Sequence, residues 1–343
     1  MLDKALSGGL RTGTIVELVG ETGVGKSQFA MTVAARAPLP VEYGGLAGGV
    51  VFVDTEGKFS AERLLGIVSQ LDAVLGDPAR GKQRRDAILG AVTVVRAKDS
   101  AELRSLVDDV EAAVARSGAR LVVIDSIAAL ARRDFDQSTL RERQGELSRL
   151  ASSLKHVAEA YRLLVLVTNQ VAGRMSPEEA GPMPGGSVRP ALGTTWSHCV
   201  NTRLVLQHLP GAAVVGGRGA EAGGAGGDAL RAAASGGVRT VSVAKSPVAP
   251  CVSDSYVIAR AGVVAIPPGC TVVRAEGSAA SATGGEAGDA GSTATAAMAL
   301  AGGGMRPPAR DPGDTAAAAD EESEDVFLGL SEAELAALEG AGE

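Results

Sequence analysis

The run GETGVGKS, Gly20 to Ser27, follows directly on an apolar stretch, TIVELVG, and precedes a helix-compatible stretch, Gln28 to Ala37. A glycine-rich turn between a strand and a helix lets backbone amides and the helix N-terminus converge on an anion. The G-x-x-x-x-G-K-[ST] pattern adds a lysine and a hydroxyl at the spacing a polyphosphate requires. On this chemistry Gly20, Glu21, Thr22, Gly23, Val24, Gly25, Lys26, Ser27 and Gln28 form a candidate ATP cradle. Lys26 is placed to reach the β and γ phosphates, and the Ser27 hydroxyl to ligate Mg2+. Such a loop works only where a strand feeds a helix, so the feature restricts the chain to an α/β architecture.

The rest of the sequence agrees with that restriction. Short apolar runs recur at TIVELVG, VVFVDT, AVTVV, LVVID and LLVLVT, with helical segments between them. Continuous apolar runs of this length suit strands buried on both faces, which implies a mostly parallel sheet flanked by helices. Leu103, Leu106, Val107, Val110 and Val114 repeat at helical spacing, as do Leu147, Leu150, Ala151, Leu154, Val157 and Tyr161. After residue 198 the strands CVNTRLVLQ, GVRTVSV, YVIAR and GVVAI follow one another closely, which predicts an antiparallel C-terminal extension of the sheet. Residues 211–237, dominated by Gly and Ala, read as a flexible insertion.

A magnesium-bound triphosphate needs a second anchor, and LVVIDS places Asp125 at the end of a strand, where a carboxylate joins Ser27 as a metal ligand. VVFVDTEGKF sets Asp54 and Glu56 just beyond another strand, which makes Glu56 the candidate general base. LVLVTNQ closes a third with Asn169 and Gln170, amides able to sense the γ-phosphate. Glu56, Lys26 and Gln170 are therefore the candidate catalytic set. Two further segments could touch a nucleic-acid backbone: one carries Arg132, Arg133, Arg141 and Arg143, and the other, Val171 to Thr194, carries Arg174 and Arg189. Solvated helix ends and a plain loop are the alternative for both.

Charge divides the chain. The formal net charge is -7, but residues 276–343 hold 14 acidic and two basic side chains, leaving a mildly basic body. Residues 1–274 are expected to form the ATPase core, and 275–343 a disordered acidic tail. Near the end of that tail Ser331 and Glu334 have capping-box spacing, which allows a short terminal helix. The three cysteines lack paired spacing, so a reduced, intracellular setting is expected and a zinc site is not. No apolar run approaches the ~18 residues that span a bilayer, and no membrane partner is expected.

The stretches LDKALSGGLRTGTIVELVGETGVGKSQFA, GGVVFVDTEGKFSAERL, LVVIDSIAAL, LVTNQV and LGTTWSHCVNTRLVLQ together resemble the ATPase core of the eukaryotic RecA-type recombinases. Among these, the resemblance is strongest to the B group of the Rad51 paralogues. It implies a RecA-like P-loop fold, with Lys26 and Ser27 as phosphate and magnesium residues, Asp125 as the Walker B carboxylate, Glu56 as the catalytic glutamate and Gln170 as the γ-phosphate switch. It further implies that Ala131 to Arg143 and Val171 to Thr194 are DNA-binding loops, and that Lys245 to Pro250 caps ATP bound by a neighbour. Members of that family open with a helical N-terminal domain, whereas this sequence opens at the ATPase core. The implied role is an ATP-binding, DNA-dependent ATPase subunit that acts in the nucleus with other recombinase paralogues on single-stranded or branched DNA. It would promote homologous-recombination repair by assisting recombinase assembly. A catalytically idle, ATP-bound adaptor and a RecA-fold ATPase of helicase or clock type are the alternative readings.

Overall fold

Each apolar run identified in the sequence becomes a strand of one 10-stranded sheet in the computed structural model. The structure describes residues 2–74, 81–133, 140–174, 188–215, 225–234, 237–266, 270–274 and 325–326. In chain order the strands are β1 (Leu10–Arg11), β2 (Thr14–Gly20), β3 (Gly49–Asp54), β4 (Val92–Arg96), β5 (Ala119–Asp125), β6 (Leu164–Arg174) and β7 (Val188–Pro190). There follow β8 (Thr202–His208), β9 (Ala212–Val215), β10 (Arg239–Lys245), β11 (Ser253–Ala259), β12 (Gly262–Ala265), β13 (Thr271–Arg274) and β14 (Asp325–Val326).

The main sheet runs β12-β11-β10-β8-β2-β6-β5-β3-β4, with β7 paired to β6. From β4 to β8 every pairing is parallel, and β10, β11 and β12 continue it antiparallel. The expected architecture is therefore present.

Strand alternation explains why these runs are continuously apolar. Val50 and Phe52 of β3 pack in one core with Phe29, Met31 and Val33 from the helix Lys26–Arg36. Val51 and Val53 pack on the opposite face with Leu103, Val107, Leu150 and Leu154. Helices cover both faces, so both parities must be hydrophobic. The first helical stripe is broken at Asp109 into Ser100–Asp108 and Val110–Ser117, and the second forms one helix, Leu140–Tyr161. β4 departs from the two-sided burial expected of it: as the last strand it leaves Val94 at 40% exposure.

Described elements fall within both regions expected from composition to be flexible or disordered. Within 211–237, read as a flexible insertion, β9 pairs with β13 and the helix Ala225–Ala234 packs Ala229 and Ala233 against Val257 and Val264. Alanines this small let a helix approach a sheet closely, so a stretch poor in bulky residues still buries apolar area. In the tail, Asp325 and Val326 pair antiparallel with Arg11 and Leu10. The Ser331–Glu334 capping box lies outside the described residues. Internal contacts divide the chain into one unit, Met1–Ala275 with Ser323–Glu343, and a second, Glu276–Glu322, which lies outside the described residues. No helix among the described residues is long and apolar enough to cross a membrane.

Candidate functional site

Parallel strands deliver their carboxyl ends to one edge of the sheet, and the site is built there. Gly20 ends β2 and lies in register with Gln170 on β6, while Asp54 of β3 lies in register with Asp125 of β5. Four segments distant in sequence thereby meet. The loop after Gly20 turns through Gly23 and Gly25 at φ of +83° and +104°. A Cβ on Gly25 would also stand 2.3 Å from Ile258 Cδ1, so both backbone and packing require glycine there. Lys26 opens the following helix and donates to the carbonyls of Gly20 at 2.8 Å and Glu21 at 2.9 Å, folding its ammonium over the loop. Glu21 and Thr22 are exposed and Val24 is buried.

Asp125 receives side-chain hydrogen bonds from Ser27 and from Thr168, the latter at 2.5 Å to Oδ1. Burial holds its carboxyl above the ordinary carboxylate range; those two hydrogen bonds work against the shift, and the charges of Glu56 and Asp54 reinforce it. The Asp125 carboxylate beside the Ser27 hydroxyl suits a hard divalent cation, whose charge would offset that of Glu56 and Asp54. The loop amides and Lys26 likewise suit a polyanion.

Glu56 is held by a turn whose anchor is Asp54. Asp54 is buried, and its Oδ1 accepts the backbone N–H groups of Glu56, Gly57 and Lys58 while Oδ2 accepts that of Phe59. Its role is to shape the turn, which leaves Glu56 to face the site. Glu56 Oε1 accepts the Ser126 hydroxyl at 2.9 Å, and Oε2 pairs with the Lys58 ammonium. Ser126 is in turn fixed by Thr55, whose Oγ1 accepts the Ser126 N–H at 2.7 Å.

Other expectations separate on inspection. Gln170 sits half-buried beside the loop, whereas Asn169, one residue earlier and so on the opposite face of β6, is fully buried in the core. Gln28 accepts from Arg63 Nε at 2.6 Å, and Arg63 also donates to the carbonyls of Ala259 and Arg260. Tyr256 donates to the Val24 carbonyl at 3.1 Å. Arg63 and Tyr256 thus clamp the β11–β12 hairpin onto the phosphate loop, a contact between positions too far apart in sequence for any local pattern to reveal.

The candidate DNA-contacting arginines are spread over four elements. Arg132 and Arg133 close the helix Ile127–Arg133 that follows Asp125, and Arg141 and Arg143 lie in the first turn of Leu140–Tyr161; residues 134–139 lie outside the described residues. Arg143 donates to the Ala191 carbonyl at 2.9 Å, so it ties the second loop's return to this helix. Part of that second loop is strand, with Gly173 opposite Arg189 and Arg174 opposite Val188, and its centre, 175–187, lies outside the described residues. Lys245, expected to face a neighbouring subunit, donates to the carbonyls of Ser197 and Val200 within its own chain.

The model of the Rad51 family matches residues 1–216. Human DNA repair protein RAD51 homolog 2 is 34% identical over 284 residues, covering 77% of this chain and 66% of its own length. Bovine DNA repair protein XRCC3 is 34% identical, covering 78% of this chain and 73% of its own. DNA repair and recombination protein RadA of Cenarchaeum symbiosum is 33% identical, covering 60% and 48%. The chain spans just under two thirds of the human relative. With the phosphate loop, the strand-end carboxylates and the strand order in place, and a family model matching well over half of its length, this chain belongs to the Rad51 family of DNA repair and recombination proteins.

Proposed function

We propose that this chain binds ATP with Mg2+ at Gly20–Ser27 and hydrolyses it as a subunit of a nuclear complex of recombinase paralogues acting on single-stranded or branched DNA. In that complex it would assist recombinase assembly in homologous-recombination repair. The observation that carries the proposal is the meeting of Lys26, Ser27, Asp125, Glu56 and Gln170 at one sheet edge, with Ser27 hydrogen-bonded to Asp125. Bound ATP would supply the phosphoryl group transferred to water, and Mg2+ the positive charge held by Ser27 and Asp125.

The protein's own groups account for the rest. The loop amides and Lys26 hold the phosphates, Ser27 and Asp125 anchor the metal, Glu56 accepts a proton from water, and Gln170 stands where the loop begins. Association with other subunits is supported by the outer edge of β4, which has no strand partner among the described residues. Beside it, a cavity of about 300 Å³ is lined by Val51, Val53, Val95, Leu106 and Val110. An open strand edge beside an apolar cavity suits a neighbour's extended segment.

The pairing of Glu56 favours slow turnover, the reading in which bound ATP serves assembly more than chemistry. Both carboxylate oxygens are engaged, one by Ser126 and one by Lys58. Lys58→Ala is expected to raise steady-state ATP hydrolysis, and because its side chain is 67% exposed the gain is modest, up to about fivefold. An unchanged rate between pH 6 and 8 would show that the ammonium leaves the base free.

For DNA, Arg132→Glu with Arg133→Glu is expected to weaken single-stranded DNA binding evenly across sequences and to lower the slope of log affinity against log salt by about one to two. Salt titrations of the assembled complex, wild type against double variant, provide the test. Equal slopes would remove these arginines from the DNA contact.

A further inference from the structure

Two buried hydroxyls stand beside the acids at the sheet edge, and the proposed reaction gives neither a role. Thr55 follows Asp54 at the end of β3, and Ser126 follows Asp125 at the end of β5; they are 4% and 2% exposed. A buried hydroxyl is costly unless it both donates and accepts, and here both do.

Thr55 binds the main chain of Ser126 at both of its polar groups. The Ser126 N–H donates to Thr55 Oγ1 at 2.7 Å, and the Thr55 hydroxyl donates back to the Ser126 carbonyl at 2.9 Å. The Thr55 N–H also donates to the Asp125 carbonyl at 3.0 Å. Glu56 is the next residue after Thr55, so three hydrogen bonds hold the chain entering Glu56 to the chain around Ser126.

The direction of the Ser126 side chain is then set by its partners. Its Oγ accepts the Ala129 N–H at 3.2 Å, and Glu56, as a carboxylate, offers only lone pairs. The hydroxyl proton is therefore given to Glu56 Oε1, at 2.9 Å. The contact on Oε2 is of another kind, because the Lys58 side chain is 67% exposed and the ion pair is screened by water and salt. One oxygen of Glu56 is held by a buried, supported donor and the other by a solvated one.

We infer that Ser126 is a positioning residue: with Thr55 as its support, it fixes the orientation in which the Glu56 carboxylate takes a proton from water. This inference rests on the reading of Glu56 as the base and deepens it. A glutamate side chain turns about several bonds, and a base acts only while an oxygen points at the proton it removes. Releasing that rotation costs turnover and leaves nucleotide affinity in place, since the phosphates and the metal are assigned to the loop, Lys26, Ser27 and Asp125.

The test is single-turnover ATP hydrolysis by the full chain in its assembled complex with DNA, read beside calorimetric affinity for a non-hydrolysable ATP analogue. Ser126→Ala is expected to lower the hydrolysis rate about fivefold or more and to bind the analogue within about threefold of wild type. Ser126→Thr, which keeps the hydroxyl, is expected to hold the rate within about threefold of wild type. If the added methyl prevents folding, Thr55→Ser and Thr55→Val give the same comparison, the first keeping the supporting hydroxyl and the second losing it. Placed on Glu56→Gln, Ser126→Ala is expected to cost at most about twofold more, because an amide accepts no proton whichever way it points. A residue that only supported the fold would lower affinity, or add its full loss on that background. A loss under about fivefold in Ser126→Ala, an added loss beyond about twofold on Glu56→Gln, or an affinity loss beyond about threefold overturns the positioning role alone. Glu56→Gln hydrolysing within about threefold of wild type, or wild type not hydrolysing at all, overturns the base and the positioning role with it.

Discussion

Lys26→Ala is expected to lower ATP affinity by on the order of 100-fold or more, the largest expected effect on binding in the site. A lysine ammonium facing a polyphosphate makes charge-assisted hydrogen bonds worth about 1.5–3 kcal/mol each, and two of them amount to about 100-fold or more in Kd. Alanine is among the best helix formers, and Lys26 begins a helix, so the substitution leaves the scaffold intact. Its present contacts, to the carbonyls of Gly20 and Glu21, also bridge the two ends of the loop. The measurement is a calorimetric titration with Mg2+-ATP, accompanied by circular dichroism to confirm the fold. Affinity within about threefold of wild type would refute the assignment of Gly20–Ser27 as the nucleotide site. Because the candidate assembly role depends on bound nucleotide, association with partner subunits should fall in parallel.

Glu56→Gln should separate binding from chemistry. The amide keeps the shape of the side chain and still accepts the Ser126 hydroxyl through Oε1, so nucleotide affinity should stay within about threefold. It cannot take a proton from water, and loss of a positioned general base lowers turnover by about 100- to 10,000-fold. Single-turnover hydrolysis in the assembled complex with DNA is the decisive measurement, since it isolates the chemical step from release. Turnover reduced less than about threefold would assign the base elsewhere. A variant that binds but does not hydrolyse should also accumulate the assembled, ATP-bound state, visible as a longer-lived complex by size-exclusion chromatography.

The Lys58 and Glu56 substitutions test different layers of one device. Lys58 modulates the carboxylate through an exposed ion pair, whose contribution is small and screened by salt. Glu56 is the proposed proton acceptor itself. Raised salt should narrow the difference between wild type and Lys58→Ala while leaving the Glu56→Gln defect untouched.

Much of the site was legible in the sequence because its chemistry is local. The glycine-rich loop spans eight consecutive residues, and its candidate role follows from spacing alone. Asp125, Glu56 and Gln170 were found as polar residues closing apolar runs, since a parallel sheet collects such ends on one edge. The two-sided burial of β3 and β5 was likewise written into runs with no polar parity. Apolar-run ends alone leave Asn169 and Gln170 alike; the family resemblance singled out Gln170, and strand alternation in the structure sends Asn169 to the core and Gln170 to the loop side.

Tertiary structure alone decided the partners of the buried groups. Glu17 looks like an error in an apolar strand until chain packing brings Asn169, Trp196 and Arg203 to it from 152, 179 and 186 residues away. Asp54 is shown to be the support of a turn only by its four backbone donors. Arg143 meets the Ala191 carbonyl, a partner that no local pattern around it indicates. The physical reason is the same in each case: a charge in a low-dielectric interior takes its role from whichever donors surround it. Sheet register and helix docking determine that set, and no short stretch of chain contains it.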